Sequence, residues 1–349
     1  MFQEITEGPA RLKVPVGEKI SADLPVFYNP VMKFNRDISV LLLKALDREG
    51  MQICDPLAGS GVRSIRFLLE LPENMVRHIT INDKDEESFG KIKENLGLNK
   101  ISADGERVVL ENRDANALLL SSTGYDYIDV DPFGTPNPFL DAACRRLARN
   151  GILAVTATDT SALSGTFINA CKRKYWAVPR RDYLMHETGL RILIRKCQLI
   201  AAQYDKALVP IFSYSKDHYM RIFFRAEKGK EKVDNVIRQH GMHEETGPLW
   251  LGALWDAELV AKMYDLSLEL KYDLDHNFLG IMKDEAKIDV FGFFDIHALC
   301  KKKGVECPRF ETVFEGLKKQ GYIVSRTHFS PYAIRTNAPQ QAVLGMLGK

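Results

Sequence analysis

The stretch Tyr125-Asp126-Tyr127-Ile128-Asp129-Val130-Asp131-Pro132-Phe133-Gly134 decides how the chain is read. Tyr127, Ile128 and Val130 are β-formers, and Pro132 ends any ladder because it has no backbone donor. The stretch is therefore a strand that stops with one carboxylate, Asp131, beside a rigid proline and an aromatic ring. In open α/β sheets ligands bind outside the carboxyl ends of the strands. Asp-Pro pairs also make ordinary turns, so the neighbouring elements must show whether Asp131 does chemistry.

Working outward, strands and helices alternate on both sides of it. Met51–Asp55, Arg77–Asn82 and Arg107–Leu110 read as strands upstream and Gly151–Thr156 as one downstream. Helices are expected over Val62–Leu71, Asp85–Asn95 and Phe139–Arg149. That rhythm predicts a parallel, doubly wound sheet. Further helices are expected near Leu163–Lys174 and Glu187–Gln203. Ala207–Ser213 and His218–Arg225 then form a hairpin that closes the five parallel strands. Before the sheet, Asn35-Arg36-Asp37 opens a helix that Gly50 stops, and residues 1–35 read as an irregular arm with short extended pieces such as Leu12-Lys13-Val14.

The polar break Gly229-Lys230-Glu231-Lys232 divides the chain into residues 1–228 and 229–349. In the second part Asp256–Leu270, Phe294–Lys302 and Arg309–Lys319 read as helices. Tyr322–Arg326 and Tyr332–Arg335 form a strand pair. Helix-helix-hairpin in that order predicts a winged-helix-like unit, a shape often used to touch nucleic acid.

Composition narrows the class. With 349 residues, 45% hydrophobic and 27% charged, the chain suits a globular protein of two domains. No apolar run approaches the ~18 residues of a membrane span, and a cytoplasmic protein is expected. The six cysteines are scattered without a C-x-x-C, and His297, Cys300 and Cys307 are too loosely spaced to make a convincing metal set, so no metal is expected. The net charge of +2 hides a basic island. Residues 172–196 carry eight basic side chains (Lys172, Arg173, Lys174, Arg180, Arg181, Arg191, Arg195, Lys196) against Asp182 and Glu187, which suits a phosphate backbone.

The turn Asp55-Pro56-Leu57-Ala58-Gly59-Ser60-Gly61 joins the first parallel strand to the first helix, where glycines let a ligand approach bare backbone. A dinucleotide fingerprint needs a third glycine at Ser64, and there is no G-x-x-x-x-G-K-[ST] loop. With no pyrophosphate to cradle, S-adenosylmethionine fits better than NAD or ATP. Asp83, 22 residues after Gly61, can accept from both ribose hydroxyls. Asp114 can accept from the adenine amine while the Ala115 region offers a backbone N–H. Asp55, Asp83, Asp114 and Asp131 thus mark the ends of four successive strands; each could separately be a helix N-cap.

These pieces carry a resemblance. The acid-proline-aromatic end at Asp131 resembles the signature of enzymes that methylate exocyclic amino groups. Val26-Phe27-Tyr28-Asn29-Pro30, Phe34-Asn35-Arg36-Asp37, Gly59-Ser60-Gly61-Val62-Arg63, Asn82-Asp83, Asp131-Pro132-Phe133-Gly134 and His186-Glu187-Thr188-Gly189-Leu190-Arg191 are similar to the tRNA guanine-N2-dimethyltransferase family. Gly247-Pro248-Leu249-Trp250-Leu251-Gly252 and Ser325–Tyr332 extend the likeness over nearly the whole chain.

The resemblance implies an α/β, Rossmann-like class I methyltransferase sheet with a C-terminal α+β domain that binds tRNA. It also implies conversion of guanine 26 to its N2,N2-dimethyl form. Arg36, Arg63, Asp83, Asp114 and Ala115 would contact S-adenosyl-L-methionine, and Asp131, Phe133 and Phe27 would surround the target base. Many family members have a cysteine-rich zinc insertion before the G-P-L-W segment. No cysteine lies between Cys197 and Cys300, so no metal is carried over.

Two other readings follow from the same residues. One is an amino-methylase of another RNA or DNA base, although such enzymes carry D/N-P-P-Y/F where this chain has Phe133-Gly134 after the proline. The other is a catalytically silent RNA-binding protein of the same fold, which the acids kept at each strand end argue against. No protein partner is expected.

Overall fold

In the computed structural model, which describes residues 2–15, 26–270 and 274–347, the chain begins with a hairpin of β1 (Phe2–Glu7) and β2 (Ala10–Pro15). The arm expected to be irregular is therefore partly a hairpin. Its stretch 16–25 lies outside the described residues. Ala10, Leu12 and Val14 alternate inward, as a half-buried strand requires. A two-stranded hairpin needs outside support. Asn95 Oδ1 accepts from the Lys13 N–H (2.7 Å), and Asn99 pairs with both backbone groups of Arg11 (2.9 and 2.7 Å).

The central sheet is built from β3 (Met51–Asp55), β4 (Val76–Asn82), β5 (Val108–Glu111), β6 (Tyr125–Val130), β7 (Leu147–Ala157), β8 (Lys206–Lys216) and β9 (Tyr219–Lys228). Its order is β5-β4-β3-β6-β7-β9-β8, parallel as far as β7, with β9 antiparallel to both neighbours. Five parallel strands and a closing hairpin are what the sequence predicts. Strand order reverses between β3 and β6, so a crevice opens beyond their carboxyl ends. Asp55 ends one of these strands and Asp131 follows the other. Helices cover the sheet. Lys33–Leu46 begins two residues before the predicted start, and Val62–Glu70 and Glu86–Leu98 fall close to expectation. The predicted 163–174 helix is two pieces, Thr160–Leu163 and Ile168–Tyr175.

After Gly229 comes the helix Lys230–Ile237, then the hairpin of β10 (His240–His243) and β11 (Thr246–Trp250) and the helices Ala257–Ser267 and His276–Glu285. Their Val233, Leu249, Met263 and Met282 share one continuous apolar core with the sheet. A second core, including Ile296, Val313, Leu317, Ile334 and Val343, belongs to the last part of the chain. There β12 (Phe294–Asp295), the helices Ile296–Lys303 and Phe310–Lys319, β13 (Val324–Thr327) and β14 (Ser330–Thr336) form a three-stranded sheet of order β12-β14-β13 with two helices. This is the predicted winged-helix arrangement with one addition. Phe294 and Asp295, read as the start of a helix, pair with Ile334 and Ala333.

The seam between the two cores has an ionic centre beside an apolar cluster of Leu184, Phe293 and Ala333. Arg335 on β14 donates to Glu187 Oε2 (2.6 Å) and Glu285 Oε1 (2.9 Å), all three fully buried. His328, in the turn between β13 and β14, donates from Nδ1 to Glu285 Oε2 (2.6 Å), and its Nε2 accepts from the Ser215 N–H (3.4 Å). Burial alone would raise the Glu285 carboxyl, but His328 and Arg335 hold it down at about 2.

Candidate active site

A cavity of about 530 Å³, within the range of small-molecule sites, opens at the reversal point between β3 and β6. It is lined by Asp55, Ala58 and Ser60 from the first turn, Arg36 and Arg63 from two helices, and Asp131, Pro132, Phe133 and Gly134 after β6. Phe27, Tyr28 and Asn29 close one side, and Thr158, Asp159, His218 and Tyr219 another. Five of the predicted site residues (Phe27, Arg36, Arg63, Asp131, Phe133) therefore meet around one space.

The first turn is tight for a local reason. Gly59 has φ +56, and a Cβ there would lie 2.8 Å from the Phe27 carbonyl oxygen. Asp83 Oδ2 accepts from the Gly59 N–H (2.8 Å), and Asn82 Nδ2 donates to the Pro56 (2.9 Å) and Arg113 (3.0 Å) carbonyls. Ser64, standing where a third glycine would fall, donates to Asp55 Oδ2 (2.8 Å). Asp83, Asp114 and Ala115 lie outside the cavity lining. Asp114 caps the helix Ala115–Ser121 through the Ala117 N–H (3.0 Å), and Asn112 binds the Asp83 carbonyl (2.8 Å). They stand at the ends of β4 and β5, beside the cavity.

Behind Asp131 lies a buried charge cluster. Asp129 and Asp131 are two apart after the pleat of β6 and share a face. Asp129, fully buried, accepts from Arg221 Nη1 (2.9 Å) and Nη2 (2.7 Å) and from Tyr127 Oη (2.6 Å). Arg63 bonds the Asp131 carboxylate through Nη2, and through Nη1 it donates to Ser39 Oγ (2.7 Å) and Asn35 Oδ1 (3.1 Å). Its Nε stands 3.4 Å from Asp129. Burial would raise Asp129, yet Arg221 and Arg63 outweigh it and hold it below the usual range. Asp55 is equally buried but lacks such a partner. Burial and the charge of Asp129 push it up to about 7, against the pull of Arg63.

Arg36 is held from the N-terminal hairpin. Glu7 accepts from its Nε (2.7 Å) and Nη2 (2.5 Å), and Nη2 also reaches the Asn29 carbonyl (3.2 Å). Burial would raise Glu7, but Arg36 and Arg66 hold it down at about 2. Phe27 and Phe133 meet edge to face, centroids 5.8 Å apart at 85°. The loop after Asp131 is pinned by Gly134 N–H to Thr158 Oγ1 (2.7 Å), and Thr158 N–H to the Gly134 carbonyl (2.9 Å).

Sequence reasoning missed Glu7, Asp129, Arg221, Asp159, His218 and Tyr219. Asp159 was within reach, since it follows β7 as the other acids follow their strands. Glu7 carries no sequence signal. The basic island needs correction. Arg191 is buried, bonding Glu187 and the Trp250 and Gly252 carbonyls, and Lys196 is covered by the Trp176 ring. Lys172, Arg173, Lys174 and Arg181 remain exposed. Lys174 pairs with Asp159 at the cavity edge (3.1 Å), and its carbonyl accepts from Asn137 Nδ2 (2.9 Å). No helix among the described residues is long and apolar enough to cross a membrane, and no group of three His, Cys, Asp or Glu there is arranged to hold a metal ion.

Known proteins resemble this chain over nearly its whole length. The chain is 38% identical to a tRNA (guanine(26)-N(2))-dimethyltransferase of Thermococcus kodakarensis, over 96% of each chain. It is also 38% identical to a tRNA (guanine(26)-N(2)/guanine(27)-N(2))-dimethyltransferase of Aquifex aeolicus, over 97% of this chain and 94% of the relative. The structure of Trm1 from Pyrococcus horikoshii in complex with S-adenosyl-L-methionine superposes with a TM-score of 0.89 at 35% identity, over 99% of this chain and 100% of that one. The profile of one family matches residues 8–245 and 239–348, which span the cavity, the seam and the winged-helix unit alike. The chain belongs to the N2,N2-dimethylguanosine tRNA methyltransferase family.

Proposed function

We propose that this protein transfers methyl groups from S-adenosyl-L-methionine to the exocyclic N2 amine of guanine 26 in cytoplasmic tRNA, giving N2-methyl- and then N2,N2-dimethylguanosine. The observation that carries the proposal is the place of Asp131, beside a cavity bounded by a glycine turn, two arginines and two phenylalanine rings. The residues present suit the methyl donor. Gly59 leaves bare backbone on one wall, and Arg36 and Arg63, held by Glu7 and Asp131, line the cavity as cations that would attract the donor carboxylate. Asp83 would accept from the ribose hydroxyls, and Asp114 with the Ala115 N–H would face the adenine. When bound, S-adenosyl-L-methionine supplies an electrophilic methyl group on a sulfonium.

The guanine amine is a weak nucleophile because its lone pair is shared with the ring. Asp131 Oδ2 faces Arg63, while Oδ1 has no hydrogen-bond partner among the described residues. A hydrogen bond from the amine to Oδ1 would orient the nitrogen lone pair toward the methyl group. The Pro132 carbonyl would accept a hydrogen bond from the second N–H. After transfer the nitrogen must lose one proton, and Asp131 Oδ1 is placed to take it. The monomethylated amine retains an N–H, so a second cycle requires exchange of the spent donor for a fresh one and rotation of the amine about its bond to the ring. Phe27 and Phe133 would hold the extruded base. Phe133, 56% exposed, is the ring free to turn.

For tRNA, we assign the exposed cations of the helix Ile168–Tyr175 and the 229–349 part, where Lys301 and Lys302 are exposed, as the phosphate-facing surfaces. The test is mass spectrometry of nucleosides from tRNA incubated with protein and methyl donor, which should yield N2-methyl- and N2,N2-dimethylguanosine. Asp131→Ala should lower the rate at least about 10²-fold while isothermal titration finds donor binding nearly unchanged. Full turnover by that variant rejects the assignment.

A further inference from the structure

We infer that Glu7, on the N-terminal hairpin, is a positioning residue for the methyl donor, acting by fixing the Arg36 guanidinium. The inference rests on the reading of Arg36 as a partner of the donor carboxylate. Glu7 is 2% exposed and Arg36 5% exposed, and their two parallel bonds (2.7 and 2.5 Å) form the fork geometry in which an arginine loses its freedom to rotate. With Nε and Nη2 committed to Glu7 and Asn29, Nη1 has no hydrogen-bond partner among the described residues, and Arg36 lines the cavity. Tyr28, also in the cavity wall, donates to Glu7 Oε2 (3.0 Å) and lies 5.2 Å from the Arg36 guanidinium carbon.

A second tie runs from the same hairpin to the same cavity. Asn95, fully buried, accepts from the Lys13 N–H (2.7 Å) and donates from Nδ2 to the carbonyl of Ser60 (2.9 Å), a cavity-lining residue of the glycine turn. Two strands outside the central sheet thus set one cation and one backbone wall of the donor site.

Glu7 also meets Arg66 (3.0 Å), which has Asp37 (2.6 Å) and Glu70 (2.6 Å) besides, so a purely structural role must be separated. The experiment titrates the full-length protein with S-adenosyl-L-methionine and with 5′-methylthioadenosine, which lacks the amino-acid carboxylate. Glu7→Gln should weaken S-adenosyl-L-methionine binding about three- to tenfold, the cost of immobilising one long side chain. KM for the donor should rise in step, with kcat and 5′-methylthioadenosine affinity unchanged. Glu70→Gln, which loses a partner of Arg66 and none of Arg36, should move neither affinity. In an Arg36→Gln background Glu7→Gln should add nothing.

An Arg36→Gln variant that keeps full donor affinity overturns the reading of Arg36. Loss in Arg36→Gln without loss in Glu7→Gln overturns the role of Glu7, as does an equal loss for 5′-methylthioadenosine. Should Glu7→Gln not fold, Glu7→Asp draws the carboxylate back from Arg36 while keeping its charge. It carries the same test.

Discussion

At the scale of the residue, Asp55 and Asp129 show how two carboxyls with the same burial end in opposite states. Both are fully enclosed, but Asp129 has a guanidinium fork from Arg221 and Asp55 has a serine hydroxyl. A consequence can be measured. The Asp55 carboxyl keeps its proton up to about 7 in the folded protein but releases it near 3.8 when unfolded. The folded state therefore binds more protons across that window, and this group's contribution to stability falls as pH rises from about 4 to about 7. Asp55→Asn should remove the fall. Urea denaturation at pH 5 and pH 7.5 should show the variant gaining about 2–4 kcal/mol relative to wild type between the two. Glu7 and Glu285, held near 2, titrate alike in both proteins and cancel in the comparison. A constant difference between the two proteins would contradict the assignment. Asp55 was legible as a strand-end acid, whereas its protonation was not, because it depends on Asp129 and Arg63 arriving from other elements.

At the scale of the element, the helix Ile168–Tyr175 is short, and its last turn carries Lys172, Arg173 and Lys174. Its C-terminal end is fixed to the cavity rim. Tyr175 Oη meets Asp159 Oδ1 (2.6 Å) and Thr135 Oγ1 (3.0 Å). Cations there suit the negative end of the helix and also face outward. Replacing the three with alanine should lower the slope of log affinity for tRNA against log salt by about one per charge removed, with S-adenosyl-L-methionine affinity unchanged. An unaltered slope would place the tRNA elsewhere. The basic composition was plain in the sequence, but its division into exposed and buried members was not. The helix Met185–Ala202 is packed on several sides, so its Arg191 and Lys196 find carbonyls, Glu187 and the Trp176 ring instead of solvent. Elements made of β-forming residues and closed by a turn with proline, such as β3 and β6, read directly. The β1–β2 hairpin and the two-residue β12 did not, because their pairing partners and supports lie far along the chain.

At the scale of the whole molecule, two apolar cores meet across Glu187, Arg335 and Glu285. Removing one member leaves unpaired buried charge. Arg335→Leu should cost about 3–5 kcal/mol in urea denaturation, whereas neutralising the exposed Lys287–Asp284 pair should cost under about 1 kcal/mol. A loss below about 1 kcal/mol for Arg335→Leu would mean that the seam relaxes around the gap. The five parallel strands with their closing hairpin and the winged-helix arrangement followed from the rhythm of the sequence. This seam did not, since Glu187 and Arg335 are 148 residues apart. Its chemistry also governs how the molecule meets heat. Stripping water from ions becomes less costly as temperature rises, while apolar attraction levels off. A joint of buried guanidinium and carboxylate groups therefore keeps its grip in hot solution, where an oily joint has stopped gaining.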